Sequence, residues 1–215
     1  MNLKFRPAQE ESIKERWQLA WSNASFRKQL ISGSLILTVI LISFPFFFQF
    51  IEGRSGPQLN DWLLAQIPPH DLSAAIFIII WSISLLGIVR AIQVPEILTH
   101  FIWSYILLTL VRTGTIYFIP LDPPANLIPL ADPISNAFYG KHFITKDLFF
   151  SGHTATIFLV YLCLRKRGDR IIALISSIVL GILLLVQHVH YTIDVLTAPI
   201  FTYALDYLAK RLILR

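Results

Sequence analysis

Six stretches of the chain run for about the length of a bilayer crossing with few charges or none: Leu30 to Ile51, Leu72 to Val89, Ile97 to Leu121, Phe149 to Leu164, Ile171 to Val189 and about Tyr191 to Ala209. Spanning the hydrocarbon core takes roughly 17 to 25 helical residues, so each run is read as one helix. The fourth reaches that length only with its flanking residues, and the sixth carries Asp194, Pro199 and Asp206. Pro45 and Pro199 are expected to kink their helices. With 55% hydrophobic and 14% charged residues and a mean hydropathy of +0.63, the chain is too apolar for a soluble core. Its 215 residues are too few for several domains. The expectation is an all-α polytopic membrane protein, with six transmembrane helices in a membrane domain over residues 30–215 and a short segment, residues 1–29, before it.

Lys and Arg set the expected orientation. If the N-terminus is cytoplasmic, that side collects Lys4, Arg6, Lys14, Arg16, Arg27, Lys28, Arg90, Arg165, Lys166, Arg167, Arg170, Lys210, Arg211 and Arg215, against Arg54, Lys141 and Lys146 on the other. An even number of spans returns the C-terminus to the cytoplasm. Topology therefore accounts for the net charge of +5, and no nucleic-acid partner is needed to explain it. The long polar opening does not resemble a cleavable signal peptide, so the first span is expected to stay in the mature protein. Ile13, Trp17, Ala20, Trp21 and Ala24 recur at helical spacing, which suits either a helix lying in the cytoplasmic interface or a charged tail with incidental tryptophans. The single Cys163 forms no intrachain disulfide and no zinc cluster.

Topology brings two reactive segments together. Span four begins near Ser151-Gly152-His153, the basic turn Arg165 to Arg170 reverses it, and span five ends near His188 and His190, so both segments meet at the non-cytoplasmic surface. His190 and Asp194 are four apart and share a helix face if span six begins there. An unpaired carboxylate in so apolar a run costs several kcal/mol, and His190 is the nearest partner. Two histidines and a carboxylate make a nucleophile, an acid and an orienter. Free amides at Ser151-Gly152, at a helix N-terminus, suit a phosphate oxygen. His70, His100, His142 and His188 are read as interfacial hydrogen-bonding residues. His188-x-His190 projects to different faces and lacks a third ligand, so no catalytic metal and no redox cofactor are expected. Arg112 lies about nine residues inside span three, roughly 13 Å from its end. That depth suits phosphate contact or positioning of a catalytic acid, against an ion pair with Asp194 or Asp147, or snorkelling.

Asp147-x-x-x-Ser151-Gly152-His153-Thr154 and His190-Tyr191-Thr192-x-Asp194-Val195 resemble the third and fourth motifs of the sphingomyelin synthase family, a branch of the type 2 phosphatidic acid phosphatase superfamily. The resemblance extends to the six-span plan, to Arg112-Thr113-x-Thr115 followed by Pro120, and loosely to Pro57-x-Leu59-x-Asp61. It implies transfer of a phospho-head group from a glycerophospholipid to ceramide or a similar lipid alcohol, releasing diacylglycerol. His190 would attack phosphorus to give a phosphohistidine-like intermediate, Asp194 would orient it, and His153 would protonate the leaving alcohol. Arg112, Asp147, Ser151 and Gly152 would bind or position the phosphate.

Two departures bear on the substrate. Lipid phosphate phosphatases carry a Ser-Arg pair where this chain reads Leu183-Leu184-Leu185-Val186, and a site with fewer cations suits a phosphodiester better than a phosphomonoester dianion. Lys146 stands where eukaryotic synthases have the glycine of Cys-Gly-Asp. A lipid phosphatase or phospholipase C-type hydrolase using the same residues is the alternative. A transporter would show internal repeats, which are not visible, and nothing favours a catalytically dead scaffold. The loop from Leu121 to Lys146, with Pro123, Pro124, Pro129 and Pro133, is read as either a lid over the site or a passive surface loop.

Overall fold

The computed structural model describes residues 12–130 and 144–213, and these are entirely helix and connecting segments. Lys4, Arg6, Pro133, Lys141, His142 and Arg215 lie outside the described residues. Among the described residues, seven α-helices follow in order: α1 (Ile13–Ser22), α2 (Ala24–Glu52), α3 (Ser73–Gln93), α4 (Pro95–Phe118), α5 (Gly152–Cys163), α6 (Arg167–Val186) and α7 (Thr192–Leu212). A single 3₁₀ turn, Leu64–Gln66, sits between α2 and α3.

Local chemistry places the breaks. Ser12 and Glu15 form a reciprocal capping box that starts α1, with the Ser12 amide donating to Glu15 Oε2 at 2.7 Å. Asn23 ends α1 and caps α2, its Oδ1 accepting from the Ser25 amide at 2.9 Å. Pro95 cannot extend α3 and instead opens α4 at its first position. On the other side of that break, Trp17 Nε1 and Arg16 Nη1 donate to the last carbonyls of α3, Ile92 and Gln93, at 2.7 and 2.9 Å. Carbonyls at a helix end have no partner within the helix, so α1 finishes α3.

Four helices, α2, α3, α4 and α6, are long and apolar enough to cross a membrane by length and composition. All six expected runs are helical, but their ends move. Helix α4 stops at Phe118 rather than Leu121, which leaves Arg112 about 9 Å from its end rather than 13 Å. Helix α5 has only 12 residues, about 18 Å, short of a hydrocarbon core of about 30 Å, because the chain is non-helical up to Ser151. Helix α7 has 21 residues but carries Asp194, Asp206, Lys210 and Arg211.

Short as it is, α5 lies inside the bundle. Helix α5 packs on α4, α6 and α7 as well as α3. Ile157 and Val160 enter one core with Ile76, Ile83, Leu180 and Leu184 of α3 and α6. Ala155, Leu159 and Cys163 enter another with Leu108, Ala198 and Leu205 of α4 and α7. Helix α2 packs on α4 and leaves Leu35, Val39 and Phe46 exposed. An apolar face that large is what lipid, rather than water, would cover.

Candidate functional site

The start of α7 is built around Asp194. Its Oδ2 accepts from the Tyr191 amide at 3.0 Å, completing the turn that begins the helix. The same oxygen stands 3.4 Å from His190 Nδ1. His190 precedes the helix, so the pair meets across the helix entrance instead of along one helical face. Asp194 is fully buried and His190 nearly so. Asp194 Oδ1 and His190 Nδ1 make no hydrogen bond, although both are buried.

The segment before α5 is tied to this entrance, with the Ser151 amide donating to the Asp194 carbonyl at 3.1 Å. The Ser151 hydroxyl donates to Thr154 Oγ1 at 3.1 Å and accepts from the Thr154 amide. It is engaged in the helix cap, and Ser151 is not on the lining of the cavity described below. Arg112 reaches across from α4. Its Nε donates to the Phe150 carbonyl at 2.7 Å and its Nη2 to Asp147 Oδ1 at 2.5 Å. Gly152 lies directly on the guanidinium, where a Cβ would stand 2.6 Å from Arg112 Cζ. No other residue leaves room for that contact.

A cavity of about 340 Å³ gathers these groups. Arg112, Asp147, Gly152, His153 and His190 line it, together with Phe44, Phe47 and Phe48 of α2, Ile80 of α3, and Leu108 and Ile116 of α4. Asp194 stands behind His190, outside the lining. Arg112 thus makes the ion pair with Asp147 and also borders the cavity; the two readings of this arginine were not exclusive.

Three residues near the site were not singled out from sequence as acting there. Asp61 Oδ2 accepts from the Thr192 amide at 2.6 Å, and Asp61 Oδ1 accepts from the Thr192 hydroxyl and the Leu64 amide at 3.0 Å each. It is a carboxylate placed at the N-terminus of α7. Burial pushes the Asp61 carboxyl up, but these donors outweigh it and hold the group below the usual aspartate value. Glu52 at the end of α2 accepts from the Thr145 and Lys146 amides at 2.5 and 2.7 Å, fixing the strand of chain that carries Asp147. Gln187 is buried without trace of exposure. The Lys146 side chain pairs with Asp122 at 3.0 Å and contacts the Arg54 carbonyl, away from the cavity. That Lys146 contact, ahead of the opposing effect of burial, holds Asp122 below its ordinary value.

His100 and His188, expected at an interface, make their hydrogen bonds inside the fold. His100 Nε2 meets Asp206 Oδ1 at 2.5 Å, and the same oxygen accepts from Ser104 Oγ at 2.9 Å. Lys210 Nζ reaches Asp206 Oδ2 at 2.7 Å. With Cys163, this brings N, S and O atoms within 4.8 Å of one another. The Asp206 carboxylate is already occupied by three protein donors, and the group is remote from the cavity.

Residues 146–210 match the family model described as PAP2 superfamily C-terminal, which covers α5, α6, most of α7 and the segment bearing Asp147. The chain is also similar to phosphatidylcholine:ceramide cholinephosphotransferase 2 of Homo sapiens, at 39% identity over 69 residues, covering 29% of this chain and 19% of that protein. The Macaca fascicularis protein of the same name is 38% identical over 69 residues, with the same coverage. The chain thus matches about a fifth of the length of these relatives. The resemblance read from the two histidine motifs is found again by both comparisons.

Proposed function

We propose that the protein is a membrane-embedded lipid phosphotransferase that moves a phospho-head group, phosphocholine or phosphoethanolamine, from a glycerophospholipid to ceramide or a similar lipid alcohol. The observation that carries this reading is one cavity bordered by His153, His190 and Arg112, with the buried Asp194 behind His190 and phenylalanines on the same lining. In this reading a small ring movement closes the 3.4 Å gap so that Asp194 accepts from His190 Nδ1, leaving Nε2 to attack phosphorus and form a phosphohistidine-like intermediate. His153 donates a proton to the departing diacylglycerol oxygen and then takes one from the acceptor hydroxyl. Arg112, fixed by Asp147 and Phe150, faces the charge that develops on the phosphorus oxygens.

The cavity favours transfer over phosphatase action. Among the described residues, Arg112 is the one Lys or Arg on its lining, and it is already paired with Asp147. That balance suits the single charge of a phosphodiester better than a dianion. The volume lies near the low end of small-molecule sites, about 300 to 1,000 Å³, enough for a head group and its ester region. Acyl chains would then lie along the apolar flanks of α2 and α3. In this reading α2 to α7 make six membrane elements, both termini are cytoplasmic, and the site faces the non-cytoplasmic side, with α1 in the cytoplasmic interface.

The test is lipid mass spectrometry on the purified protein with phosphatidylcholine, phosphatidylethanolamine and phosphatidate, with and without ceramide, beside His190→Ala. The expected result is head group on ceramide together with diacylglycerol, lost in the variant. Free phosphate from phosphatidate, or head group released to water without ceramide product, would make the protein a hydrolase.

A further inference from the structure

Three and two residues ahead of His190, Gln187 and His188 are polar and almost wholly buried, at 0% and 4% exposure. Side chains that deep must be accounted for by hydrogen bonds, and the partners come from two connecting segments and from Ser73, the first residue of α3. His188 Nδ1 and Nε2 lie 2.9 Å from the carbonyl oxygens of Ala125 and Ile67 respectively. Gln187 Nε2 donates to Ser73 Oγ at 2.9 Å and to the Ile128 carbonyl at 3.3 Å, while its Oε1 accepts from the Leu72 amide at 3.0 Å. The Gln187 carbonyl accepts from the Ile128 amide at 3.2 Å. His188 makes its contacts from a left-handed backbone, φ 57°, which a non-glycine residue adopts only where its surroundings insist.

The segment tied down in this way is part of the cavity wall. Leu127, Pro129 and Leu130 line the cavity beside Val189 and His190. One dipeptide therefore fastens an apolar cover to the stretch of chain that leads into the nucleophile. Resting on the proposed transferase reading, we infer that Gln187 and His188 are positioning residues that keep residues 125–130 closed over the phosphorylated His190, so that a lipid hydroxyl and not water receives the group. The competing step balances without any further reactant. The P–N bond to His190 breaks, a P–O bond to the water oxygen forms, the water proton passes to His153, and free phospho-head group departs. Excluding water from a reactive intermediate is what a closed apolar cover does.

The experiment is a partition measurement in proteoliposomes with phosphatidylcholine and ceramide, reading head group on ceramide against head group released to water. His188→Ala is expected to raise the hydrolysed share about tenfold. His188→Asn, which keeps one donor and tolerates a left-handed backbone, is expected to recover part of the wild-type ratio. Leu127→Ala, which thins the cover without touching its anchor, tests the same point if His188→Ala does not fold, and should shift the ratio the same way. Lower total turnover with an unchanged ratio in His188→Ala and Leu127→Ala would overturn the inference and leave the transferase reading standing. Wild-type protein showing no His190-dependent transfer would overturn the parent reading and this one with it.

Discussion

Among the described residues, α4 and α7 share buried polar clusters at two levels about 18 Å apart, and they are finished to different degrees. His100 and Arg112, twelve residues apart on α4, mark the two levels, as do Asp206 and Asp194 on α7. At the His100 level the Asp206 carboxylate accepts from His100, Ser104 and Lys210. At the Arg112 level Asp194 Oδ1 and His190 Nδ1 are buried without a hydrogen bond. A buried polar atom left unpaired costs about 1–3 kcal/mol. The first cluster is complete in itself and ties α4 to α7. The second keeps groups that a substrate or a small ring movement would satisfy, as expected where chemistry and not cohesion decides the residue.

That contrast can be broken by experiment. Removing the proposed nucleophile should have the largest effect: His190→Ala is expected to lower turnover by at least about 10³-fold while the protein keeps its melting temperature in detergent. A variant that lost its fold and its activity together would place His190 with the structural cluster. The reverse is expected of Asp206→Ala, which strands His100 and Ser104 and should cost about 3 kcal/mol. Its thermal midpoint in detergent should fall while turnover per folded molecule stays near wild type, and selective loss of turnover would erase the distinction between the two levels.

Arg112→Lys sharpens the description of the reactive level. A lysine cannot contact the Phe150 carbonyl and Asp147 in the same fork, so turnover should drop about 30-fold with little change in stability. Gly152→Ala, whose Cβ would stand 2.6 Å from Arg112 Cζ, should reproduce that loss in initial-rate assays; full activity would show that the guanidinium position is not critical. The smallest effect concerns Asp61. Its folded value lies below the ordinary 3.8, so the stability it contributes is present above that value and is lost as pH falls through the lowered one. Thermal melts at decreasing pH should show that loss in wild type and less of it in Asp61→Asn, and identical slopes would remove Asp61 from the account.

How much of this was legible in sequence differs between these levels too. His153, His190 and Asp194 were legible because they stand in short motifs at the ends of apolar runs, and a carboxylate within such a run demands a partner. Arg112 was legible by its depth. Asp61 was not, since its partner Thr192 is 131 residues away and periodicity carries no information about loop-to-helix contacts. His100 was read as an interfacial residue for the same reason, because Asp206 lies 106 residues further on. The fourth run was read as short, but its late start at Gly152 was not legible, since Phe149 and Phe150 are as apolar as the helix they precede. They leave the helix because their carbonyls accept from Thr115 and Arg112.

Local pattern therefore established which segments are helical and where in them the proposed reactive side chains stand, because hydrophobic runs and short motifs are written in neighbouring residues. The folded chain established how the groups meet. His190 faces Asp194 across a helix entrance, Arg112 is held against Gly152, and residues 125–130 are fastened over the cavity by Gln187 and His188. The last two of those contacts join segments far apart in sequence, and only packing brings such segments together.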